Sequence, residues 1–143
     1  MINTTHDQYL SIRVGSQWYA VPLSSVVEVH HMMLLTEHPN STPNVIGLLT
    51  LRDMVFPIVD LRLCFGITDP AYRLDTPLVI LRSDSGYIGL AVDEADIVES
   101  VSEDQYISTG VESFAFVQGA VRVPNRLLLK LDITALSTAF VSH

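Results

Sequence analysis

The residue types that could carry out covalent catalysis are few in this sequence. A single cysteine, Cys64, stands between Leu63 and Phe65. Apolar neighbours raise the pKa of a thiol and keep it protonated, so the sequence predicts a packed cysteine rather than a nucleophile. One cysteine cannot form an internal disulfide, which is typical of a protein from a reducing compartment.

The histidines give only weak support for a metal site. His30 and His31 are adjacent, so on a strand their side chains point to opposite faces and cannot share one ion. His38 could join either of them, but two ligands make a weak site. The remaining two histidines are His6 and His143. The sequence therefore favours solvated or interfacial histidines over a metal centre.

Four carboxylates cluster in the stretch "VDEADIVES", at Asp93, Glu94, Asp96 and Glu99. A paired acid–base site is conceivable there, but no cationic or polar partner accompanies the cluster, which favours a solvated acidic edge. No glycine-rich phosphate loop and no nucleophile elbow is present. We predict a protein that is not an enzyme and needs no cofactor, with an enzyme using Cys64 or the acidic cluster as the alternative.

The composition is that of a folded, soluble domain. The chain has 143 residues, of which 48% are hydrophobic and 17% charged, so it can bury a sizeable core and is expected to form one domain, residues 1–143. The net charge of −8 argues against nucleic acid as a partner. The N-terminal residues do not resemble a secretory signal, and no apolar run approaches the length of a membrane span. We therefore expect a cytoplasmic protein without direct membrane insertion.

The elements that must position these residues are mostly strands. Short apolar runs separated by turn residues every eight to twelve positions predict a mainly β fold built from small barrels. The run from Leu78 onward predicts a strand, a turn and then a long strand that bends where the acidic residues begin. Asp60 can cap a short helix that Gly66 ends, and Asp132 can cap a last helix near the C-terminus.

The stretch "LLTLRDMVFPIVDLR" is unusual because it places two of seven arginines around an apolar run. Each arginine can pair with a local carboxylate such as Asp53 or Asp60, or project outward as a multiply donating contact for a partner. The residue types alone leave both roles open.

Four segments resemble the CheW family of chemotaxis coupling proteins. They are "GSQWYAVPLSSVVEV", "PNVIGLLTLRDMVFPIVDLRLCFG", "GLAVDEADIVESV" and "LLLKLDITAL". The resemblance keeps its order from about Tyr9 to Leu136, nearly the whole chain. It implies two intertwined, small five-stranded β-barrels with short helices, one near the C-terminus.

The same resemblance implies a non-catalytic adaptor in chemosensory signalling arrays. Its partners would be the regulatory domain of a CheA-type histidine kinase and the cytoplasmic tips of methyl-accepting chemoreceptors, and it would be recruited to membrane receptor arrays. Association with further copies of itself is also implied. A scaffold role in a non-flagellar chemosensory pathway, governing twitching motility or gene expression, stays open as the alternative.

The resemblance assigns partner-binding roles by position. Val26 and Glu28 fall in the segment that the family uses at its receptor-facing groove. Gly47 and Arg52 match the glycine and the arginine implicated in coupling receptor to kinase, although Gly47 could serve only backbone conformation or close approach.

One residue departs from the family pattern, and two are assigned structural roles. Asp53 replaces the usual glycine after Leu-Arg; glycine would allow positive φ there, and aspartate adds a charge able to pair with Arg52. We expect Asp53 to alter the partner contact. Asp60, as the cap of the short helix, and Arg62, which would brace that helix, are predicted to be structural.

Overall fold

The computed structural model describes residues 7–38, 42–107, 110 and 114–141. His6 and His143 lie outside the described residues. Within them the chain is mainly β. The strands are β1 (Asp7–Val14), β2 (Gln17–Pro22), β3 (Val26–His31), β4 (Val45–Leu51), β5 (Met54–Asp60), β6 (Pro77–Ser83), β7 (Gly86–Ala91), β8 (Glu94–Val101), β9 (Tyr106–Ile107), β10 (Val117–Val123) and β11 (Arg126–Leu131). The α-helices are α1 (Leu61–Cys64) and α2 (Ile133–Phe140), capped by Asp60 and Asp132 as predicted.

The strands form two sheets, which confirms the predicted mainly β class with its short helices. Sheet 1 has the order β8-β1-β2-β11-β10-β9, and sheet 2 has the order β3-β6-β7-β5-β4. Five strands were expected in each. Sheet 1 has six because the two-residue strand β9 pairs with β10 through Ile107 and Tyr106.

The two sheets repeat one arrangement with strands from both halves of the chain. Sheet 1 contains the β1–β2 hairpin and the β10–β11 hairpin, which are joined by parallel pairing of β2 with β11. Sheet 2 contains the β6–β7 hairpin and the β4–β5 hairpin, which are joined by parallel pairing of β7 with β5. One more strand in each sheet pairs with a strand from the other half of the chain. In sheet 1, β8 of the second half pairs with β1 of the first; in sheet 2, β3 of the first half pairs with β6 of the second. The sheets are therefore intertwined.

The apolar side chains divide into three buried clusters because several strands are covered on both faces. In β6, Val79 and Leu81 join the largest cluster, to which both sheets and α2 contribute. Leu78 and Ile80, on the opposite face of the same strand, join a cluster inside sheet 2. A third cluster, which includes Tyr9, lies inside sheet 1. Each sheet thus curls around its own core while both share a third.

Sheet 2 is closed between its two edges. Thr36, in the segment after β3, exchanges backbone hydrogen bonds of 2.8 and 2.7 Å with Leu48 on the opposite edge strand, β4. A Cβ atom placed on Gly47 would lie only 2.9 Å from Leu35 Cβ and 3.0 Å from the Thr36 carbonyl oxygen. Glycine at this position therefore permits the close approach that completes the barrel.

The predicted long strand through the acidic residues is instead two strands in different sheets. β7 ends at Ala91 in sheet 2, and β8 starts at Glu94 in sheet 1. Between them, Asp93 accepts a hydrogen bond of 2.7 Å from the Gly15 N–H, which ties the crossing to the β1–β2 turn. Apolar periodicity does not distinguish such a crossing from a bend within one strand.

Candidate protein-interaction site

The surface that groups most of the predicted partner-binding residues is formed by β3 and the β4–β5 turn. β3 is an edge strand whose residues alternate between half-buried and exposed. Val27 and Val29 are exposed by 40% and 46%, which is unusual for valine on a folded surface. Glu28 and His30 lie on the alternate, half-buried face.

Arg52, in the β4–β5 turn, forms an ion pair with Glu28 on β3. The Glu28 carboxylate also lies 2.5 Å from Nε2 of His30. The hydrogen bond from Arg52, and after it that from His30, lowers the pKa of the Glu28 carboxyl below its usual value. The Arg52 side chain remains 66% exposed despite this pairing, so it can still donate hydrogen bonds outward.

The turn that carries Arg52 holds two non-glycine residues at positive φ. Arg52 has φ 50° and Asp53 has φ 67°, the pattern of a type I′ hairpin turn, which favours asparagine and glycine. The positive φ expected where the family has glycine is therefore present at Asp53. Among the described residues, Arg52 pairs with Glu28 and not with Asp53 as hypothesised.

Two predicted partner-binding residues point inward. Val26 packs against the core that both sheets share. Gly47 is buried under Leu35 and Thr36, so close approach accounts for its presence.

The structure therefore brings Glu28, Arg52 and Asp53 together. Val26 packs against the shared core and Gly47 is buried, so neither belongs to this group. Val55, an apolar neighbour of Arg52 in the sequence, is 61% exposed on β5. Sequence reasoning did not single out the exposed Val27 and Val29. No local signal identifies them, because their alternation with Glu28 and His30 is the pattern of a strand whose valines face the core.

Asp60 and Arg62 form a buried, bidentate pair at the other end of β5 from the Arg52 turn. Arg62 donates from Nε to Asp60 Oδ1 and from Nη2 to Asp60 Oδ2, both at 3.0 Å. Its Nη1 reaches the Ala71 carbonyl at 2.8 Å and Asp93 at 3.3 Å. Tyr72 completes the group by donating its hydroxyl to Asp60 Oδ2 at 2.6 Å. This network ties α1 to the following loop and to the crossing into β8.

Burial and charge act in opposite directions in this network. Burial alone would lower the pKa of Arg62, but its hydrogen bonds to Asp60, and then to Asp93, raise the pKa above its usual value. Burial, followed by the hydrogen bond to Asp60, raises the pKa of Tyr72 to about 12. Asp60 therefore faces a guanidinium that stays charged and a phenol that stays protonated at neutral pH.

The acidic cluster has cationic partners, contrary to expectation. Glu94 pairs with Arg13 at 3.2 Å, and Asp96 approaches Arg126 at 3.5 Å. Asp93 is held by Arg62 and by the Gly15 N–H. These partners lie far away in the sequence, so the local pattern did not reveal them. Three of the four carboxylates therefore contribute to ion pairs, two of them between strands and one between α1 and the crossing into β8.

Nothing in the described part of the chain assembles a reactive centre around Cys64. Burial, and then the negative charge of Asp60, raises the pKa of the Cys64 thiol to about 12, so it is protonated at neutral pH. No group of three or more His, Cys, Asp or Glu side chains within the described ranges could hold a metal ion. In the same ranges no helix is long and apolar enough to cross a membrane.

Comparison with known proteins identifies relatives along almost the whole chain. The model of the CheW-like domain matches residues 8–140. A chemotaxis protein CheW of Helicobacter pylori is 29% identical over 86 residues, which cover 60% of this chain and 52% of that protein. Chemotaxis protein CheA of Borreliella burgdorferi is 28% identical over 132 residues, which cover 88% of this chain and only 14% of that protein.

A solved structure shares the fold. The scaffolding protein TtCheW of Thermoanaerobacter tengcongensis superposes with a TM-score of 0.81 and 21% identity, covering 89% of each chain. The fold described above is therefore one that a solved structure also has.

Proposed function

The chain belongs to the CheW-like domain family, and from this membership we propose that it is a non-catalytic adaptor between chemoreceptors and a histidine kinase of the CheA type. It acts in chemosensory signalling by holding the two partners next to each other. Family membership over residues 8–140 is the observation that carries this proposal. The protein is cytoplasmic and joins receptor arrays at the membrane through these contacts, and its two sheets act as a single domain.

The partner contact centres on Arg52 in our proposal. A guanidinium that is 66% exposed next to the exposed side chain of Val55 has the composition of an interface hot spot. A positive φ costs free energy for an arginine, and such cost is commonly retained where it serves function. Glu28 holds the guanidinium in place from β3, and Asp53 adds the negative charge that modulates the contact.

The remaining predicted residues have structural roles in our proposal. Val26 anchors β3 to the shared core, and Gly47 lets the edges of sheet 2 meet. Asp60 and Arg62 fix α1 against the crossing into β8, at the other end of β5 from the Arg52 turn. We expect none of these four residues to touch a partner.

The mechanism is one of relative affinity. An adaptor transmits a signal only if its contacts differ in free energy between the active and inactive arrangements of its partners. A region of the CheA of Borreliella burgdorferi resembles this chain over nearly its full length. Kinase and adaptor could therefore dock through surfaces of similar architecture.

Calorimetric binding tests the proposal directly. The purified protein is titrated with the regulatory domain of the CheA-type kinase from its own organism, and separately with a receptor cytoplasmic fragment. We expect dissociation constants of about 1 μM, the range of a small specific interface. Failure to bind either partner would contradict the adaptor function.

A matched pair of variants then locates the contact. Arg52→Ala removes the proposed hot spot, whereas Arg122→Ala removes an exposed arginine from β10, in the other sheet. We expect Arg52→Ala to weaken binding to one partner about tenfold and Arg122→Ala to have little effect. Equal effects of both changes would mean that general charge, and not this site, governs the association.

A further inference from the structure

An open cavity lies at one end of sheet 1. It has a volume of about 560 Å³ and opens between the start of β1, the end of β2 and β11. Tyr9, Pro22, Leu23 and Ser24 contribute to its walls. Lys130 and Asp7 supply one positive and one negative charge.

Lys130 is the single lysine of the chain and occupies an interior position of its sheet. It pairs with Ala20 of β2 in the parallel ladder, as Ile58 pairs with Gly89 of β7 in the corresponding ladder of sheet 2. Ile58 is fully buried in an apolar cluster. The equivalent position in sheet 1 thus carries an ammonium group where packing alone would favour an aliphatic side chain.

Two tyrosine rings support the ammonium group. Lys130 Nζ lies 5.6 Å from the ring centre of Tyr9 and 5.8 Å from that of Tyr106, within the range of a cation–π contact. The two hydroxyl groups are 2.6 Å apart, and Tyr106 donates to Asp7 at 2.7 Å. Lys130 therefore contacts the rings of this tyrosine pair, and Asp7 accepts from one of its hydroxyl groups.

The charges of Lys130 and Asp7 do not form an ion pair with each other. Lys130 forms no ion pair with any residue that the structure describes, Asp7 included. A cation and an anion that share a cavity without pairing are complementary to a ligand that carries both charges. The apolar parts of Pro22, Leu23 and Tyr9 would cover an aliphatic group of such a ligand.

We propose that this cavity binds a small zwitterion, namely a free α-amino acid with an aliphatic side chain. Its carboxylate contacts the Lys130 ammonium and its amino group contacts the Asp7 carboxylate. The site is separate from the adaptor contact and would allow a metabolite to affect a scaffold protein directly. With two charged contacts and a small buried apolar area, we expect a dissociation constant of about 1 mM.

The single lysine makes a direct test possible. Protein labelled with ¹³C and ¹⁵N only in lysine gives one set of side-chain NMR signals, which belong to Lys130. Titration with leucine should shift these signals in a saturable way. Two analogues separate the charges, since 4-methylpentanoate lacks the amino group and 3-methylbutylamine lacks the carboxylate. Each should bind about tenfold more weakly than leucine.

Variants test the two contacts by calorimetry on the full chain. Lys130→Met keeps the apolar stem and removes the charge, and Asp7→Asn removes the other charge; each should weaken leucine binding about tenfold. Arg82→Gln, at an exposed residue near the end of β6 that does not line the cavity, should leave it unchanged. Absence of a saturable Lys130 shift in the wild type, or equal binding of leucine and 4-methylpentanoate, would overturn the proposal, and neither result depends on a variant that folds.

Discussion

Arg52, in the turn between β4 and β5, is ion-paired with Glu28 on β3, so one contact joins the two strands at opposite edges of sheet 2. The same edges are joined nearby by the backbone bridge between Thr36 and Leu48. The proposed partner-binding arginine is therefore also part of the closure of the barrel. A partner that withdraws Arg52 from Glu28 would act on the shape of sheet 2.

The pairing predicts how Glu28 titrates. Because Arg52, and after it His30, lowers the pKa of Glu28, the ionised carboxylate stabilises the closed sheet at pH values above the usual glutamate pKa of 4.5. That contribution is lost as the pH falls through the lowered pKa. Carboxyl NMR signals should show the pKa of Glu28 rising toward 4.5 in Arg52→Gln and unchanged in Arg122→Gln, which alters an exposed arginine of sheet 1. An unaltered Glu28 titration in Arg52→Gln would show that the pair does not form in solution.

Two substitutions of Asp53 separate backbone strain from charge. Asp53→Gly suits the positive φ of 67°, so we expect the melting temperature to be kept or raised while partner affinity changes. Asp53→Ala removes the same charge but fits this backbone poorly, which should cost about 1 kcal/mol. Thermal melts and calorimetric titrations of both variants measure the two effects. Unchanged affinity of Asp53→Gly for every partner would remove Asp53 from the contact.

Gly47→Ala should destabilise the protein through a steric clash. The added methyl group would lie 2.9 Å from Leu35 Cβ and 3.0 Å from the Thr36 carbonyl oxygen, so the two edges of sheet 2 must separate. We expect a loss of about 1–3 kcal/mol in the free energy of unfolding, measured by urea denaturation. Gly119→Ala is the matched control, because a Cβ atom there meets no atom within 4 Å. Equal stability of the two variants would contradict the close-approach role of Gly47.

Arg62→Met should be among the most destabilising single changes in the chain. It leaves the fully buried Asp60 carboxylate without its bidentate partner, and the loss of one member of a buried pair costs about 3–5 kcal/mol. Arg122→Met, at an exposed arginine on β10, should change the stability little. Urea denaturation provides the measurement, and a double change of Asp60→Leu with Arg62→Met should recover part of the loss. If Arg62→Met alone were as stable as the wild type, Arg62 would not brace the fold.

Cys64 should react slowly with thiol reagents in the native protein. Its pKa of about 12 leaves almost no thiolate at pH 8, and the side chain is half-buried. Reaction with a disulfide reagent at pH 8 should be slow until denaturant is added and rapid afterwards. Rapid labelling of the folded protein would contradict this expectation and would support a nucleophilic role for the Cys64 thiol.

The sequence predicted the elements better than their assembly. The hairpins, the capped helices at Asp60 and Asp132 and the β class follow from local patterns of turn residues and apolar runs, and the structure confirms them. The break between β7 and β8 was missed, because both segments are typical of strands and nothing local signals a change of sheet. The partners of the acidic cluster were missed for the same reason, since Arg13 and Arg126 are distant along the chain.

The candidate site shows the same limit. Positions matched by resemblance led to Glu28, Arg52 and Asp53, but a match cannot show which side chains face solvent. Glu28 as the partner of Arg52 depends on the curl that brings β3 to the β4–β5 turn, a long-range property of the sheet. The distinction between Val26 and Val27 depends on the register of β3 against β6, which the spacing of apolar residues fixes only once the pairing is known.

The exchange of strands between the sheets has a consequence for how the chain attains its structure. The first half, through α1, supplies the strands β1 and β2 of sheet 1 and β3, β4 and β5 of sheet 2, so neither sheet is complete until both halves are present. Folding must therefore be cooperative across the entire chain, with slow closure of long-range pairs. A backbone cut in the loop 67–76 should yield two fragments that acquire structure only when mixed. Two intact chains could also trade halves and produce a domain-swapped dimer in which every sheet keeps its native register.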